Sequence, residues 1–300
     1  MVDIIQRLMP KNFLALSIEG MSLKLLAGQG DRVSAWAITP INPIFLRGGF
    51  VANKQGLASV MRIAVSKKEF SGRRRVFTSL PAFHSVNRIL DIPDMKEVRP
   101  EIVLPQQAKK DMGYSVENSL LFWQRLNRSG GRQRFLVTSV PRETVITLIE
   151  TLKLAGIQPD KIDTTTFALS RAVNESQAII AALEANSLDS IILRDGIPLS
   201  SRSTFLGEVP QNPESLPALI TDALDSIITF HNESHPDDPL PPDIPVYLLG
   251  SGILLNPNIV SAVKTTLGRP VGEFKPPLIF PRDCPKAELA VNIGLVLKEL

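Results

Sequence analysis

The chain has 300 residues, enough for two domains of about 100–200 residues each, with 44% hydrophobic residues, 21% charged residues and a net charge of +3. That balance excludes disorder over most of the length and gives no compositional ground for nucleic-acid binding. The single cysteine, Cys284, excludes an internal disulfide and a multi-cysteine zinc site, and three histidines leave little for histidine catalysis. Met1–Pro10 reads as a short amphipathic lead-in, with Ile4, Ile5, Leu8 and Met9 at helical spacing. It suits a docking turn, or a weak membrane-surface contact through Arg7 and Lys11. It lacks the pattern of a secretion signal, and apolar runs such as Val33–Leu46 are broken by Pro40 and Pro43 well short of a membrane span. A cytoplasmic location is expected.

Phe13–Ile18, Ser22–Leu26 and Arg32–Ile38 predict an antiparallel meander, turned by Gly28, Gly30 and Asp31. Gln55–Val65 predicts a helix. A basic loop follows (Lys67, Lys68, Arg73, Arg74, Arg75), then strand Val76–Leu80. It reads as solvated, with an acidic partner or anionic lipid as the second reading. Phe83–Gly131 is polar and proline-punctuated, with a helix near Ile102–Met112 and a strand at Leu120–Leu126. Gly130 and Gly131 turn the chain into strand Arg134–Ser139. In helix Pro141–Ala155, Pro141 suits the first position, Val145, Ile146, Leu148, Ile149 and Leu152 form the expected buried stripe, and Gly156 closes the helix. Strand Lys161–Asp163 leads through the capping residues Thr164–Thr166 into helix Phe167–Val173.

The second half starts afresh with strands Ile179–Leu183 and Leu188–Leu193, and Asp195-Gly196 turns into Pro198–Phe205. Helix Leu216–Phe230 carries Leu216, Leu219, Ile220, Ala223, Leu224, Ile227 and Ile228 on one face. A proline-rich extended connection, His235–Pro245, precedes strand Pro245–Leu249, the loop Gly250-Ser251-Gly252, helix Asn258–Leu267 and a final helix over about Lys286–Leu300. His231-x-Glu233-x-His235 with Asp237 and Asp238 lacks a metal-binding helical spacing and reads as a solvated helix end. His84 reads as a surface or groove residue, and Trp36, Phe122 and Trp123 read as strand core.

The halves repeat. Ile18-Glu19-Gly20-Met21-Ser22-Leu23-Lys24 aligns with Leu183-Glu184-Ala185-Asn186-Ser187-Leu188-Asp189, with Glu, Ser and Leu recurring in step. Each copy lies in the turn joining the first two strands of its half. A chance match between two strand turns and a duplicated domain are both compatible with it.

The stretch Phe135–Val173, "FLVTSVPRETVITLIETLKLAGIQPDKIDTTTFALSRAV", resembles the type IV pilus assembly protein PilM family, relatives of the cell-division protein FtsA. Looser matches are "SLP", "ILDIPDM" and "SVENSLLFWQRL" in Val76–Leu126. Asp195-Gly196-Ile197-Pro198-Leu199 with Ser201-Arg202, Leu249–Gly252, and Ala290–Leu297 extend the likeness over nearly the whole chain. The resemblance implies an α/β, duplicated actin-like (ribonuclease H-like) fold of two lobes. Lobe one would span residues 1–173, with a small SHS2-type interaction subdomain inserted at about 83–156. Lobe two would span 174–285, and a terminal helix, 286–300, would pack back on lobe one.

In that family two hairpins grip nucleotide phosphates through Asp-x-Gly pairs. Here the aligned positions hold Ser17 and Glu19 in the first hairpin, with Lys24 kept, and Ala182 and Glu184 in the second. A one-residue slip would rescue Glu19-Gly20 but not the second hairpin. Gly250, Ser251 and Gly252 fall at the adenosine loop. A carboxylate ~4 Å from a phosphate costs roughly 4 kcal/mol at an effective dielectric near 20. Two such groups outweigh micromolar affinity unless a divalent cation sits between them. The expectation is a degenerate cleft with no cofactor, ATP and Mg2+ binding only if the cleft still admits them, and hence a pseudo-ATPase. The resemblance implies a cytoplasmic scaffold tied to the membrane through partners. It would bind the tail of a PilN-like single-span protein, could contact pilus assembly ATPases, and could self-associate. The alternatives are an active FtsA-like polymerising ATP-binding protein, or the cytoplasmic part of a GspL-like type II secretion platform. The GspL family continues into a membrane span, whereas this chain stops at Leu300.

Overall fold

The structure, a computed structural model, describes residues 11–72, 74–95, 98–112, 118–207, 212, 214–254, 256 and 258–298. The amphipathic lead-in and Arg73 of the basic loop lie outside the described residues, as do parts of "SVENSLLFWQRL".

Strands β1 (Asn12–Glu19), β2 (Ser22–Gln29) and β3 (Arg32–Pro40) form the expected meander. A two-strand hairpin, β4 (Leu46–Arg47) and β5 (Phe50–Val51), follows, then helix α1 (Lys54–Ser66) and strand β6 (Arg75–Leu80). After β7 (Val86–Pro93), α2 (Pro100–Met112), β8 (Ser119–Ser129), β9 (Arg132–Pro141) and α3 (Arg142–Leu154), the chain enters β10 (Lys161–Thr164) and α4 (Thr165–Val173). The second half comprises β11 (Ala178–Leu183), β12 (Ser187–Arg194), β13 (Ile197–Phe205), α5 (Leu216–Ser234), β14 (Val246–Leu249), α6 (Ser251–Leu254), α7 (Asn258–Thr266) and α8 (Ala290–Leu297).

The first sheet runs β10-β6-β1-β2-β3 and the second β13-β12-β11-β14. In each, an antiparallel three-strand meander gains a parallel strand beside its first member: β6 against β1, and β14 against β11. The duplication suggested by the turn sequences is therefore present in the strand order.

Both faces of each central strand are covered, which is why β1, β2, β11 and β12 read as apolar runs. Phe13 and Ala15 of β1, with Ala178, Ile180 and Ala182 of β11, face a core shared by the two lobes. Leu14 and Leu16, and Ile179, Ala181 and Leu183, face separate outer cores. Helices α4 and α8 fill the shared core. A Cβ at Gly294 would lie 1.7 Å from the carbonyl oxygen of Ala168, so only glycine lets these two helix backbones meet.

Inserted in lobe one, β7, β9 and β8 form a three-strand antiparallel sheet in that order. Helix α2 covers one face, setting Leu104 and Ala108 on Leu90, Ile92, Phe135 and Val137. Strand β7 escapes the sequence pattern because Arg88 and Asp91 interrupt its apolar alternation.

Three local expectations need correction. Pro141 is the N-cap of α3, with ψ 126, rather than its first helical residue. Ile146 and Ile149 are exposed (46% and 42%), and Leu148, Thr151 and Leu152 form the buried stripe, because α3 packs along a narrow contact with α1 and β9. The last helix is shorter than 286–300, since Pro285–Leu289 forms turns before α8 begins.

Candidate functional site

Side-chain alternation puts Ser17, Glu19 and Lys24 on the inner face of the first sheet, and Ala182, Glu184 and Asp189 on the inner face of the second. All six are buried at the tips of the two facing hairpins. The tips touch. Gly20 occupies the β1–β2 turn at φ +56, and a Cβ there would lie 3.0 Å from the Ala185 amide nitrogen and 3.2 Å from Glu184 Cβ.

Lys24 has no solvent exposure and sits between the hairpins. Its Nζ donates to Glu184 Oε1 at 2.7 Å, to Glu19 Oε2 at 3.3 Å and to the carbonyl of Glu288 at 2.8 Å, so all three ammonium protons have acceptors. Ser251 closes the other side of Glu184, with its Oγ donating to Glu184 Oε2 at 2.8 Å. The amide of Gly250 donates to the Ala287 carbonyl, and Gly252 packs on Leu183. The residues of the expected cleft therefore form one assembly, with Ala182 lining it as a small apolar wall.

Asn292 orders the hydroxyl of Ser17. Its Nδ2 donates to the carbonyls of Ala15 and Lys24, both at 3.1 Å, which fixes Oδ1 as an acceptor facing Ser17 Oγ at 3.0 Å. Ser17 Oγ also makes a short hydrogen bond to Glu19 Oε1, so its single proton has two acceptors, the amide oxygen and the carboxylate. Burial, the largest cause, acts with the Glu184 charge and against Lys24 and the Ser17 hydrogen bond to push the Glu19 carboxyl up to about 7. Burial opposes the Lys24 charge, but Glu19 and Glu184 outweigh it and raise its pKa.

Asp189 holds in lobe two the position of Lys24 in lobe one. It accepts a short hydrogen bond from Ser203 Oγ, and burial pushes its carboxyl up to about 6. Asp189 and Asn292 were missed by sequence reasoning, although Asn292 is the one polar residue in the α8 sequence AVNIGLVL.

Between the hairpins remains a cavity of about 30 Å3, bordered by Ile18, Pro81, Phe83, Thr165, Asn186 and Asp189. Small-molecule sites are roughly 300–1,000 Å3, so this space suits a water or two. Phe83, on its border, packs against Phe205 of β13, with ring centres 6.3 Å apart. A nucleotide triphosphate with Mg2+ does not fit this arrangement: its phosphates would overlap the touching tips, and both glutamates already serve Lys24. Among the described residues no group of three or more His, Cys, Asp or Glu side chains is placed to hold a metal.

Of the expected readings of His84, surface or groove, the groove holds: it is largely buried and borders a concavity of about 450 Å3 with Phe50, Leu80 and Pro141. It stacks on Phe50 at 4.1 Å, its ring nitrogens lack partners among the described residues, and burial lowers its pKa to about 4. His231 is fully buried against His235 rather than solvated, because α5 continues to Ser234 and carries it under the following loop.

A second concavity, about 340 Å3, lies between the inserted sheet and the edge of lobe one, bordered by Leu80, Phe122, Trp123, Leu136, Ile162 and Phe167. Strands β8 and β10 are the outer strands of their sheets on this side. Phe122 and Trp123 are 56% and 40% exposed rather than core: they lie on opposite faces of β8, Phe122 on the face that α2 leaves open and Trp123 opposite Val137 on the α2-covered face but on the sheet's outer strand. Asp163 at its rim accepts from Arg171 at 2.5 Å and Lys298 at 2.9 Å.

Comparison with solved structures decides the fold. A chain of the PilM–PilN type IV pilus biogenesis complex matches at TM-score 0.73 and 23% identity, covering 95% of this chain and 97% of that one. The cytoplasmic domain of EpsL, an inner-membrane component of the Vibrio cholerae type II secretion system, matches at 0.55 and 13% identity, with 96% of each chain covered. A Bacteroides thetaiotaomicron protein of actin-like ATPase fold matches at 0.51 and 10% identity, with 99% of each covered. The chain has an actin-like fold. No protein-family model and no curated protein sequence matches it. Among the described residues no helix is long and apolar enough to cross a membrane.

Proposed function

We propose that this chain is a non-catalytic actin-like scaffold of a type IV pilus or related assembly machine, working at the cytoplasmic face of the membrane and holding the N-terminal tail of a PilN-like membrane protein. The observation that carries the non-catalytic reading is Lys24. Its ammonium occupies, with Glu19 and Glu184, the position between the hairpin tips where an actin-like ATPase would need phosphate and metal. The partner reading is supported by the likeness to the PilM–PilN complex and by the apolar concavity between β8 and β10. There an extended tail can bond an unpaired strand edge and set alternate side chains against Phe122, Trp123 and Phe167. Contact with assembly ATPases and self-association belong to the same proposal.

The likeness to the EpsL cytoplasmic domain favours a second reading, the cytoplasmic part of a type II secretion platform. An ATP-driven FtsA-like switch has the filled cleft against it.

The test is a pull-down of a synthetic N-terminal tail of a PilN protein. Wild type should retain the tail, and Phe122→Glu with Trp123→Glu, both exposed and so compatible with folding, should release it. Failure of the wild type to bind, or equal binding by the variant, contradicts the proposal.

A further inference from the structure

A third concavity, of about 800 Å3, separates the inserted subdomain from lobe two and is distinct from both sites above. Strand β7 forms part of one wall and β13 part of the other. Among the described residues β7 pairs only with β9, and β13 only with β12, so each presents an outer edge without a strand partner. Such an edge is a template for an added strand.

The side chains on these walls indicate what would be added. Four arginines line the space: Arg88, Arg134, Arg194 and Arg202. Arg134 and Arg194 are paired with Asp91 and Asp238. Arg88 and Arg202 are exposed and have no carboxylate partner among the described residues. Arg88 donates to the Asn87 carbonyl and Arg202 to Ser226 Oγ, each at 3.1 Å. Asp195 is the remaining carboxylate of the lining, so guanidinium groups are in excess. Apolar surface accompanies them: Leu199, at the register shift of β13, and Phe230, 58% exposed, border the same space.

We propose that this cavity binds an extended acidic segment of a partner protein as an added strand along β13, its carboxylates on Arg88 and Arg202 and its alternate apolar side chains toward Leu199 and Phe230. The charge of the lining selects an acidic segment over a basic one, and the free edge of β13 supplies main-chain bonds that need no particular sequence. Bound in this way, the segment would bridge the inserted subdomain and lobe two. The inference does not depend on the tail-binding reading, which concerns the opposite edge of the inserted sheet.

The experiment is selection of random dodecapeptides displayed on phage against the full-length protein. Binding of the selected synthetic peptides is then measured to wild type and to Arg88→Glu/Arg202→Glu, and amide hydrogen exchange is recorded. The expected peptides alternate acidic and apolar residues, slow exchange in β13, and lose affinity roughly tenfold or more in the variant, with binding weakened by added salt. Two results overturn the proposal: selected peptides without acidic enrichment, or acidic peptides that bind the variant equally or slow exchange only in β8 and β10. Binding to anionic lipid vesicles with no peptide selected would also overturn it, since the arginines would then read a membrane surface. Circular dichroism confirms that the variant is folded before these outcomes are read.

Discussion

Lys24 Nζ and Glu184 Oε1 lie 2.7 Å apart although their residues are 160 positions apart in sequence, one in each half of the duplicated fold. The pair joins the two lobes at the point where their hairpins meet. Its environment excludes water, so its energetic sign depends on completeness. A fully bonded buried pair is close to neutral against an apolar substitute, whereas a half-broken one is costly.

Lys24→Met should therefore destabilise the protein by about 3–5 kcal/mol, because Glu184 is left as a buried charge without its partner. Glu19→Gln/Lys24→Met/Glu184→Gln should recover most of that loss. Urea unfolding of the three proteins checks this. A single variant as stable as wild type would mean that the contact contributes nothing.

The raised carboxyl of Glu19 predicts a pH dependence. Its carboxyl titrates near 7 when folded and near the ordinary 4.5 when unfolded, so the folded protein holds the proton more tightly. The associated stability is fully present below pH 4.5 and is lost as pH rises through 7, on the order of 3 kcal/mol in all. Glu19→Gln should remove this slope. The difference between variant and wild-type unfolding free energies should thus change across pH 4.5–7, and a constant difference would contradict a raised Glu19 carboxyl.

His84 should act in the opposite direction. Burial lowers its pKa from 6.5 to about 4, so the folded state resists protonation and stability falls as pH drops from 6.5 toward 4. His84→Leu removes a buried imidazole whose nitrogens lack partners, and it should stabilise the protein more at pH 5 than at pH 7.5. Thermal unfolding at the two pH values decides it, and an equal effect at both would contradict the assignment.

The two lobes, their repeated meanders and the hairpins bearing Glu19 and Glu184 were legible in the sequence. Strands covered on both faces read as apolar runs, and Gly30, Gly130-Gly131 and Asp195-Gly196 mark their turns. The consequence of the glutamates was only half legible. Sequence placed two carboxylates where phosphate would lie and counted their repulsion. It did not show that Lys24, kept from the phosphate-binding pattern, would turn to them instead, because that pairing depends on the lobes closing until Gly20 meets Ala185. Phe122 and Trp123 were misplaced for a related reason: alternation puts them on opposite faces of a strand, but shows neither that a helix covers one face alone nor that the strand lies at the edge of its sheet.

The closeness of the hairpin tips makes Gly20 and Gly130 a matched pair, at φ +56 and +57. An alanine at either position carries the left-handed backbone cost of about 1–2 kcal/mol. Only at Gly20 does the added Cβ also press on the opposite lobe, since Gly130 has nothing within 4 Å. Gly20→Ala should therefore be more destabilising than Gly130→Ala in chemical denaturation. Equal losses would mean that the tips part easily.

The central claim is that the cleft between the lobes is filled by the chain's own Lys24, Glu19 and Glu184 and takes no nucleotide. Titration calorimetry of the full-length protein with ATP and magnesium tests it most directly. The account predicts no binding heat at millimolar nucleotide, and a dissociation constant in the low micromolar range would contradict it.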